Sequence, residues 1–211
     1  MADYDRKILQ QLEAMTEPDR RDQPVPAPKN EEKGKTMQRR GEEPLRQALY
    51  RMSGVDLTTI DAIGVGTVQV VLSEYGPDLS RFPNEDAFVS HINLAPCKPI
   101  TGGRPMKKKK KPGSASNRAA CAFRMAATSM RNSPTALGAF YRQVARRIGG
   151  DVAVFATARK LAQLTYRLLR WGQAYVDEGA EAYERRYREL RLQRLKASAK
   201  DIGYDLTPIT A

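Results

Sequence analysis

The fold is decided by the stretch LTTIDAIGVGTVQVVL, which runs from Leu57 to Leu72. Its apolar residues recur at helical spacing on both sides of a Gly-x-Gly hinge, which predicts a helix-hairpin-helix over about residues 57–75. Glycine permits a tight turn, and the first N–H groups of the second helix would then face outward, where they can hold a DNA phosphate. Gly64 and Gly66 are therefore candidate contacts to nucleic acid. An ordinary helix–helix turn is the alternative, and the alternation after Gly66 also admits a strand.

Helical periodicity continues through most of the chain, so we predict a mostly α protein without a convincing sheet. A main domain is expected over residues 45–211, with a helical bundle at residues 115–201. Its helices are expected to begin at Asn84 or Pro83, at Ser116 and at Ser133-Pro134, and one of them to end at Gly149-Gly150. The strongest core helix is expected over residues 152–171 with Leu161, Leu164, Leu168 and Trp171 inward, and a charged helix over about 177–201 with Tyr183, Tyr187 and Leu190 as its apolar seam.

The first 44 residues are predicted to be separate from this domain. Residues 3–16 form an amphipathic pattern, which predicts a residual helix within residues 1–16. Residues 17–44 contain five of the thirteen prolines and much charge, with only Val25 and Met37 as sizeable apolar side chains. Such a composition cannot bury enough apolar surface to order itself, so we predict a disordered linker there.

The charge imbalance of the chain is confined to one segment. The sequence has 36 Lys+Arg and 24 Asp+Glu, yet no acidic residue lies between Asp86 and Asp151. Twelve bases fall within residues 101–150, so the remaining 24 bases equal the acids in number. A loop at residues 94–114 carries the densest part, and such a concentration is typical of a surface that binds a polyanion. The candidate contacts to DNA or RNA are Arg104, Lys107, Lys108, Lys109, Lys110, Lys111, Asn117, Arg118 and Arg124.

Two features of this charge have a simpler explanation. A lysine run is often only a solvated segment, although this one is internal and leads into a helix start. The arginines of the last helix alternate with glutamates, and a salt-bridged exposed face is expected there.

Composition argues against several classes of protein. The sequence has two cysteines, a single histidine, His91, and no Cys-x-x-Cys pair, which argues against a disulfide framework and against a zinc site. No apolar run approaches the roughly 20 residues that a membrane helix needs. We therefore expect a cytoplasmic protein without a membrane partner.

Short motifs follow one another along residues 45–211. They are Gly54-Val-Asp-Leu57, Ile60-Asp-x-Ile63, Leu72-Ser-Glu74-x-Gly76-x-Asp78-x-Ser80-Arg81, Leu94-x-Pro96, Thr101-Gly102-Gly103, Asn117-Arg118-Ala-Ala, Ser133-Pro-x-Ala-Leu137-Gly138-Ala139, Ala156-Thr-Ala-Arg159-Lys160-Leu161-Ala162, Ala174-Tyr175-Val-Asp177 and Leu206-x-Pro208. In this order they resemble the carboxy-terminal domain of Piv-like, DEDD-type insertion-sequence transposases, the bridge-RNA-guided IS one-ten, IS one-sixteen and IS nine-oh-two group.

The resemblance implies a nucleophile and partners. The family carries a serine before the glycine pair that attacks the DNA phosphodiester; here the position is Thr101, followed by Gly102 and Gly103. Threonine keeps the hydroxyl, but its branched Cβ restricts χ1 and crowds an in-line attack. The glycines would let the backbone approach the phosphate. The resemblance also implies DNA, a guide RNA and homo-oligomers as partners.

The family's amino-terminal RuvC-like domain, whose acidic tetrad holds Mg²⁺, is expected to be absent, because residues 1–44 show no alternating β pattern. The chain itself is then expected to need no cofactor and to be inactive alone, with a separately encoded RuvC-like domain as a further partner. Two functions stay open: a transposase domain acting in DNA strand exchange, and a non-catalytic remnant or RNA-binding module.

Overall fold

The computed structural model describes residues 2–29, 31–95, 100–101, 104–105 and 117–207, with the backbone alone for residues 2–5, 100–101, 104–105, 173–184 and 186–187. The chain is mostly α, as predicted. Three 3-10 turns and one pair of short strands complete the described elements. The helices are α1 (Ala2–Met15), α2 (Glu31–Arg40), α3 (Glu43–Ser53), α4 (Val65–Tyr75), α5 (Glu85–His91), α6 (Arg118–Ser129), α7 (Ala136–Ile148) and α8 (Gly150–Asp201).

The main hydrophobic core lies between α3, α4, α5, α6 and the first half of α8. Phe88 of α5, Phe123 of α6 and Leu161 of α8 are fully buried in it. Tyr166 of α8 is also buried, and its hydroxyl donates to the carbonyl oxygen of Phe82 at 2.8 Å. Alanines at the contact face of α6 leave room for this close packing of helices.

Residues 17–44 differ from the disordered linker that their composition predicts. They contain a 3-10 turn at Pro18–Arg20 and helix α2, and Met37 of α2 is buried in the main core. Leu12 of α1 packs against the same core, and α1 contacts α3. The segment is ordered because tertiary contacts supply the burial that its own sequence lacks. We call residues 17–40 the strap.

Polar bonds fasten the strap to the turn between α3 and α4. Arg46 of α3 is buried, and its Nη2 donates to Pro26 O at 2.7 Å and to Asp56 Oδ2 at 2.6 Å. Lys33 of α2 donates to the carbonyl oxygens of Thr58 and Ile60. Burial lowers the pKa of the Lys33 ammonium, and the nearby carboxylate of Asp61 opposes part of that shift. The strap is therefore an integral part of the domain.

The first helix of the predicted helix-hairpin-helix does not form. Residues Leu57–Thr59 make a single 3-10 turn, and Ala62 has φ +66°, which no helix can contain. Asp56 caps that turn by accepting from the backbone N–H and hydroxyl of Thr58. Lys33 binds carbonyl oxygens that a continuing α-helix would need for its own hydrogen bonds. The second helix does form, as α4.

Two helix starts are shifted slightly from their predicted positions. Asn117, and not Ser116, is the N-cap of α6, and its Oδ1 accepts from Ala120 N at 2.9 Å; Ser116 lies outside the described residues. Thr135 caps α7 two residues after Ser133, while α5 begins after the predicted cap Asn84. Both shifts keep a side-chain acceptor at the start of the helix, which is the feature the prediction used.

Helix α8 is broken at Gly172, whose backbone (φ 81°, ψ 176°) is not helical. The break separates the predicted core helix from the predicted charged helix. Leu161 and Leu168 are buried and Leu164 is partly buried, as expected, but Trp171 next to the break is 48% exposed. Beyond the break, Leu190 of the predicted apolar seam is exposed, and the side chains of Tyr183 and Tyr187 lie outside the described part. None of the described helices is both long and apolar enough to cross a membrane.

Candidate nucleic-acid interface

The predicted basic loop leaves the core at one well-packed point and returns at another. On the amino-terminal side, Leu94 is buried and its N–H donates to Val89 O at 3.0 Å. Asn93, with φ +60°, turns the chain there after α5. On the carboxy-terminal side, Asn117 begins α6. The loop is thus held at both of its ends by the main domain.

Asn117 joins the loop's return point to the end of α4. Its Nδ2 donates to the Tyr75 hydroxyl at 2.7 Å while its Oδ1 caps α6. Both ends of the amide are occupied, which makes Asn117 a positioning residue for the loop. Its neighbour Arg118 forms a 3.2 Å ion pair with Glu74 of α4, yet its side chain is 71% exposed. The sequence predicts neither partner, because Tyr75 lies 42 residues from Asn117 and Glu74 lies 44 residues from Arg118 along the chain.

A cationic and aromatic cluster, also missed from the sequence, surrounds Tyr75. The guanidinium of Arg81 lies 5.4 Å from the centroid of the Tyr75 ring and 4.8 Å from that of Phe82. The exposed ring of His91 is 5.8 Å from Tyr75 and 5.2 Å from Phe82. Tyr75 and Arg81 are distant in sequence from the lysine run, and the fold brings them to the point where the loop returns.

Within the loop, the structure describes two short paired strands, β1 (Ile100–Thr101) and β2 (Arg104–Pro105). They are antiparallel, and their register pairs Thr101 with Arg104. The predicted nucleophile position therefore has a basic residue as its direct cross-strand partner. Gly102, Gly103 and Lys107, Lys108, Lys109, Lys110 and Lys111 lie outside the described residues.

Gly64 and Gly66, the glycines of the predicted hairpin, do not lie next to the point where the loop returns. Gly64 is the N-cap of α4 and Gly66 lies in its first turn, whereas the loop returns beside Tyr75 at the other end of that helix. Eleven residues separate the two ends of α4, which corresponds to about 16 Å at 1.5 Å per residue. Helices α4 and α6 contact each other and run in opposite directions. Gly64 and Gly66 and the return point of the loop thus lie at opposite ends of α4.

Neither glycine is required for the turn itself. Gly64 is extended (φ −100°, ψ 169°), and the positive φ in this turn belongs to Ala62. Both glycines are exposed, and a Cβ added at either would meet no atom within 4 Å. No side chain caps α4. The absence of side chains here leaves the first N–H groups of α4 open to an incoming acceptor.

Gly66→Val is expected to leave the helical circular-dichroism signal nearly unchanged, because an added side chain points into open space. If the α4 backbone donates to a phosphate, the branched side chain should weaken DNA binding about 10-fold, since a hydrogen bond to a charged group contributes roughly 1.5–3 kcal/mol. Binding is measured by fluorescence anisotropy. Gly150→Val, also exposed in a first helical turn and equally unobstructed, is the matched control for the effect of the branched side chain on folding. A wild-type affinity of Gly66→Val would remove Gly66 from the interface.

Arg124 is separated from Arg118 around α6. Six residues on a helix correspond to a rotation of about 240°, so the two arginines lie on different sides. The guanidinium of Arg124 lies 5.3 Å from the ring centroid of Phe155 on α8, and Phe155 is itself 44% exposed. Arg118 therefore lies at the loop, and Arg124 lies on the surface shared with α8.

No metal site is found in the part of the chain that the structure describes, since no three His, Cys, Asp or Glu side chains there are grouped to hold an ion.

Residues 54–142 match the family model described as "Transposase IS116/IS110/IS902 family". The matched segment begins at Gly54, which ends α3, and runs into α7, so it contains the α4 turn, the basic loop and α6. No curated protein and no solved structure gave a significant match to the chain. The match covers less than half of the chain and contains the motifs from Gly54 to Ala139, whereas the motifs from Ala156 to Pro208 lie outside it. From Gly54 to Arg142, the chain resembles the IS116/IS110/IS902 family of transposases.

Proposed function

We propose that this chain is the nucleic-acid-binding, carboxy-terminal part of an insertion-sequence transposase. In this proposal it binds the DNA of the element end or of the target with the loop at residues 94–114 and the adjoining start of α6. One observation carries the proposal: the transposase family match at residues 54–142 encloses nearly all of the acid-free, basic segment. Family and charge therefore indicate the same part of the chain.

The contacts described above suggest a division of roles within the interface. Asn117 positions the loop, because both ends of its amide are already bonded within the protein. Arg118 is exposed, and a phosphate can exchange with Glu74 as its partner, since an exposed ion pair contributes at most about 1 kcal/mol. Arg104 and the lysine run would supply the remaining phosphate contacts, and Gly102 and Gly103 would allow close approach of the backbone.

Replacing Lys107 to Lys111 by glutamine is expected to flatten the salt dependence of DNA binding. If the five lysines neutralise five phosphates, the logarithmic slope should change by about 4.5, and this contribution alone lowers the wild-type affinity by roughly two to three decades between 50 and 200 mM salt. Fluorescence anisotropy with a duplex DNA probe over this salt range measures the slope.

The matched control removes the same number of charges from the part of α8 beyond the break, as Arg185, Arg188, Arg191, Arg194 and Lys196 to glutamine. All five are exposed. The control should keep most of the wild-type slope, because net charge alone acts weakly beyond the Debye length of about 8–10 Å. A lysine-run variant with wild-type affinity and slope would contradict the proposed interface.

We further propose that Thr101 occupies the position of the nucleophile. In the exchange, the Thr101 Oγ–phosphorus bond forms and the bond from phosphorus to the leaving sugar oxygen breaks. The hydroxyl proton is lost and the leaving oxygen takes one up. Arg104 is the cross-strand partner of Thr101, and its positive charge would offset the charge on the phosphate. The branched Cβ of threonine and the lack of an acidic tetrad in the described residues favour binding without cleavage.

The isolated chain is expected not to cleave element-end DNA, with or without Mg²⁺. With an acidic-tetrad RuvC-like domain supplied as a second polypeptide, Thr101→Ser should raise strand transfer, because a primary alcohol attacks with less crowding. A strand-transfer assay that also detects a protein–DNA adduct measures both. Thr101→Ala is the control: an adduct that survives it would show that another residue is the nucleophile, and cleavage by the chain alone would refute the binding-only assignment.

Guide RNA, a RuvC-like partner and a second copy of the chain remain proposals from the family resemblance. The binding assay with duplex RNA in place of DNA tests the first. Equal salt slopes on the two duplexes would favour recognition of the backbone alone.

A further inference from the structure

A second group of basic residues lies at the end of α6 and along α7. It consists of four exposed arginines, Arg131, Arg142, Arg146 and Arg147, which we call the α7 arginine surface. Helix α7 contains no acidic residue, and the sequence offers none before Asp151. We had counted these arginines in the basic segment but had not assigned them to any site.

The four arginines have no carboxylate partner among the described residues, and three exposed or partly exposed arginines elsewhere on the domain do. Arg118 pairs with Glu74, Arg159 with Asp86 and Arg167 with Glu85. Arg142 and Arg146 lie four residues apart on one helix face, where like charges repel by a few tenths of a kcal/mol. The α7 surface thus concentrates positive charge that the domain neutralises in other places.

Part of this surface is held rigidly. Nη1 of Arg142 donates to Ser133 O at 2.6 Å and to Arg131 O at 3.1 Å, which fixes its guanidinium against the backbone of Arg131. Arg146 follows one helical turn later, about 6 Å along the axis. This spacing is close to the rise of two nucleotides in one strand of B-DNA, about 7 Å. The favourable position of Arg146 and Arg147 at the carboxy-terminal end of a helix does not account for Arg131 and Arg142.

The α7 arginine surface lies at the other end of α6 from the point where the basic loop returns. The loop returns at Asn117, and Arg131 follows the last residue of α6, Ser129. The 12 residues of α6 place about 18 Å between these points. At the far end, Ala62 just before α4 packs against the small core cluster of Met130, Tyr141, Val144 and Ala153. The surface therefore lies on the side of the domain where α4 begins.

The side chains of α7 favour phosphates over bases as ligands. Single-stranded nucleic acid is bound by stacking bases on exposed aromatic rings. Tyr141 is buried, and the ring of Phe140 is covered by the ammonium of Lys160 at 4.7 Å. Exposed guanidinium groups remain, and these bind phosphate oxygens well.

We propose that the α7 arginine surface is a second nucleic-acid contact, which binds the phosphate backbone of a duplex independently of the basic loop. This proposal extends the proposed function but does not depend on the lysine run.

The test is a triple variant, Arg131→Gln, Arg146→Gln and Arg147→Gln, which leaves the Arg142 bonds intact. Its matched control is Arg185→Gln, Arg188→Gln and Arg191→Gln, three exposed arginines beyond the break in α8. Binding of a duplex DNA probe and of a duplex RNA probe is measured between 50 and 200 mM salt, with circular dichroism to verify folding.

We expect the triple variant to lower the logarithmic salt slope by about 2.7, so that affinity falls about 40-fold less over this range than for the wild type. The control should keep the wild-type slope. An effect on only one probe identifies that duplex as the ligand. A wild-type slope for the triple variant, or an equal loss in the control, would overturn the proposal.

The lysine-run variant distinguishes the two proposals. If it binds like the wild type while the α7 triple variant does not, the loop fails as an interface and the α7 surface stands. If the lysine-run variant loses slope and the α7 triple variant does not, the opposite holds.

Discussion

Arg46→Ala is expected to destabilise the protein by about 3–5 kcal/mol, because it removes one partner of a buried ion pair and leaves the other uncompensated. The side chains of Arg46 and Asp56 are only 1% and 4% exposed, and their 2.6 Å bond is joined by bonds from Arg46 to Glu43 and to Pro26 O. The variant would lose the bond that holds Asp56, the cap of the Leu57–Thr59 turn, and also the bond to Pro26 that attaches the strap. Urea unfolding followed by circular dichroism measures the change in free energy.

Two further variants identify the cause. Arg40→Ala removes an exposed arginine whose pair with Glu42 is 3.9 Å long, and it should cost less than about 1 kcal/mol. Asp56→Asn in the Arg46→Ala background removes the orphaned charge and should restore part of the loss. If the strap depends on Arg46, proteolysis within residues 17–40 should accelerate in Arg46→Ala alone. A cost below about 1 kcal/mol for Arg46→Ala would show that the buried network contributes little.

Gly138→Ala is expected to cost about 3 kcal/mol or more, at the upper end of what overpacking costs. A Cβ at this position would lie 2.2 Å from Ser133 O and 3.0 Å from Met130 O, both of them backbone atoms. The Ser133 carbonyl cannot move away freely, because Arg142 is bonded to it. For a chain of this size, the expected loss corresponds to a fall in Tm of roughly 6–12 °C.

Gly150→Ala is the matched control for this prediction. It also lies in the first turn of a helix, but nothing lies within 4 Å of an added Cβ, so the change should be neutral or slightly stabilising. Differential scanning calorimetry of both variants is sufficient. If Gly138→Ala has the Tm of the wild type, the close approach of α7 to residues 130–133 does not restrict the side chain at residue 138.

Much of the candidate site followed from the sequence, but its arrangement did not. The acid-free segment, the loop before α6 and the position of Thr101 were all readable in order along the chain. That Asn117 bonds to Tyr75, and that Arg81 and His91 lie around the same ring, was not readable, because 42 residues separate the bonded pair. The distance between Gly66 and the return point of the loop could not be predicted either, because it depends on the direction of α4 relative to α6.

The sequence by itself determined the helices of the main domain. Apolar stripes, Asn84 and Gly149 marked α5 and α7, and the change from an apolar to a charged pattern marked the two parts of α8, because periodicity and capping act over a few residues. The tertiary structure alone decided the conformation of residues 17–40 and 57–63. Lys33 and Arg46 form hydrogen bonds to partners that lie 10 to 27 residues away. These bonds order the strap, whose own hydrophobicity is low, and they replace the first helix of the predicted helix-hairpin-helix with a 3-10 turn. Such bonds depend on which backbone carbonyl groups the fold brings near a buried cation, and local composition cannot predict these groups.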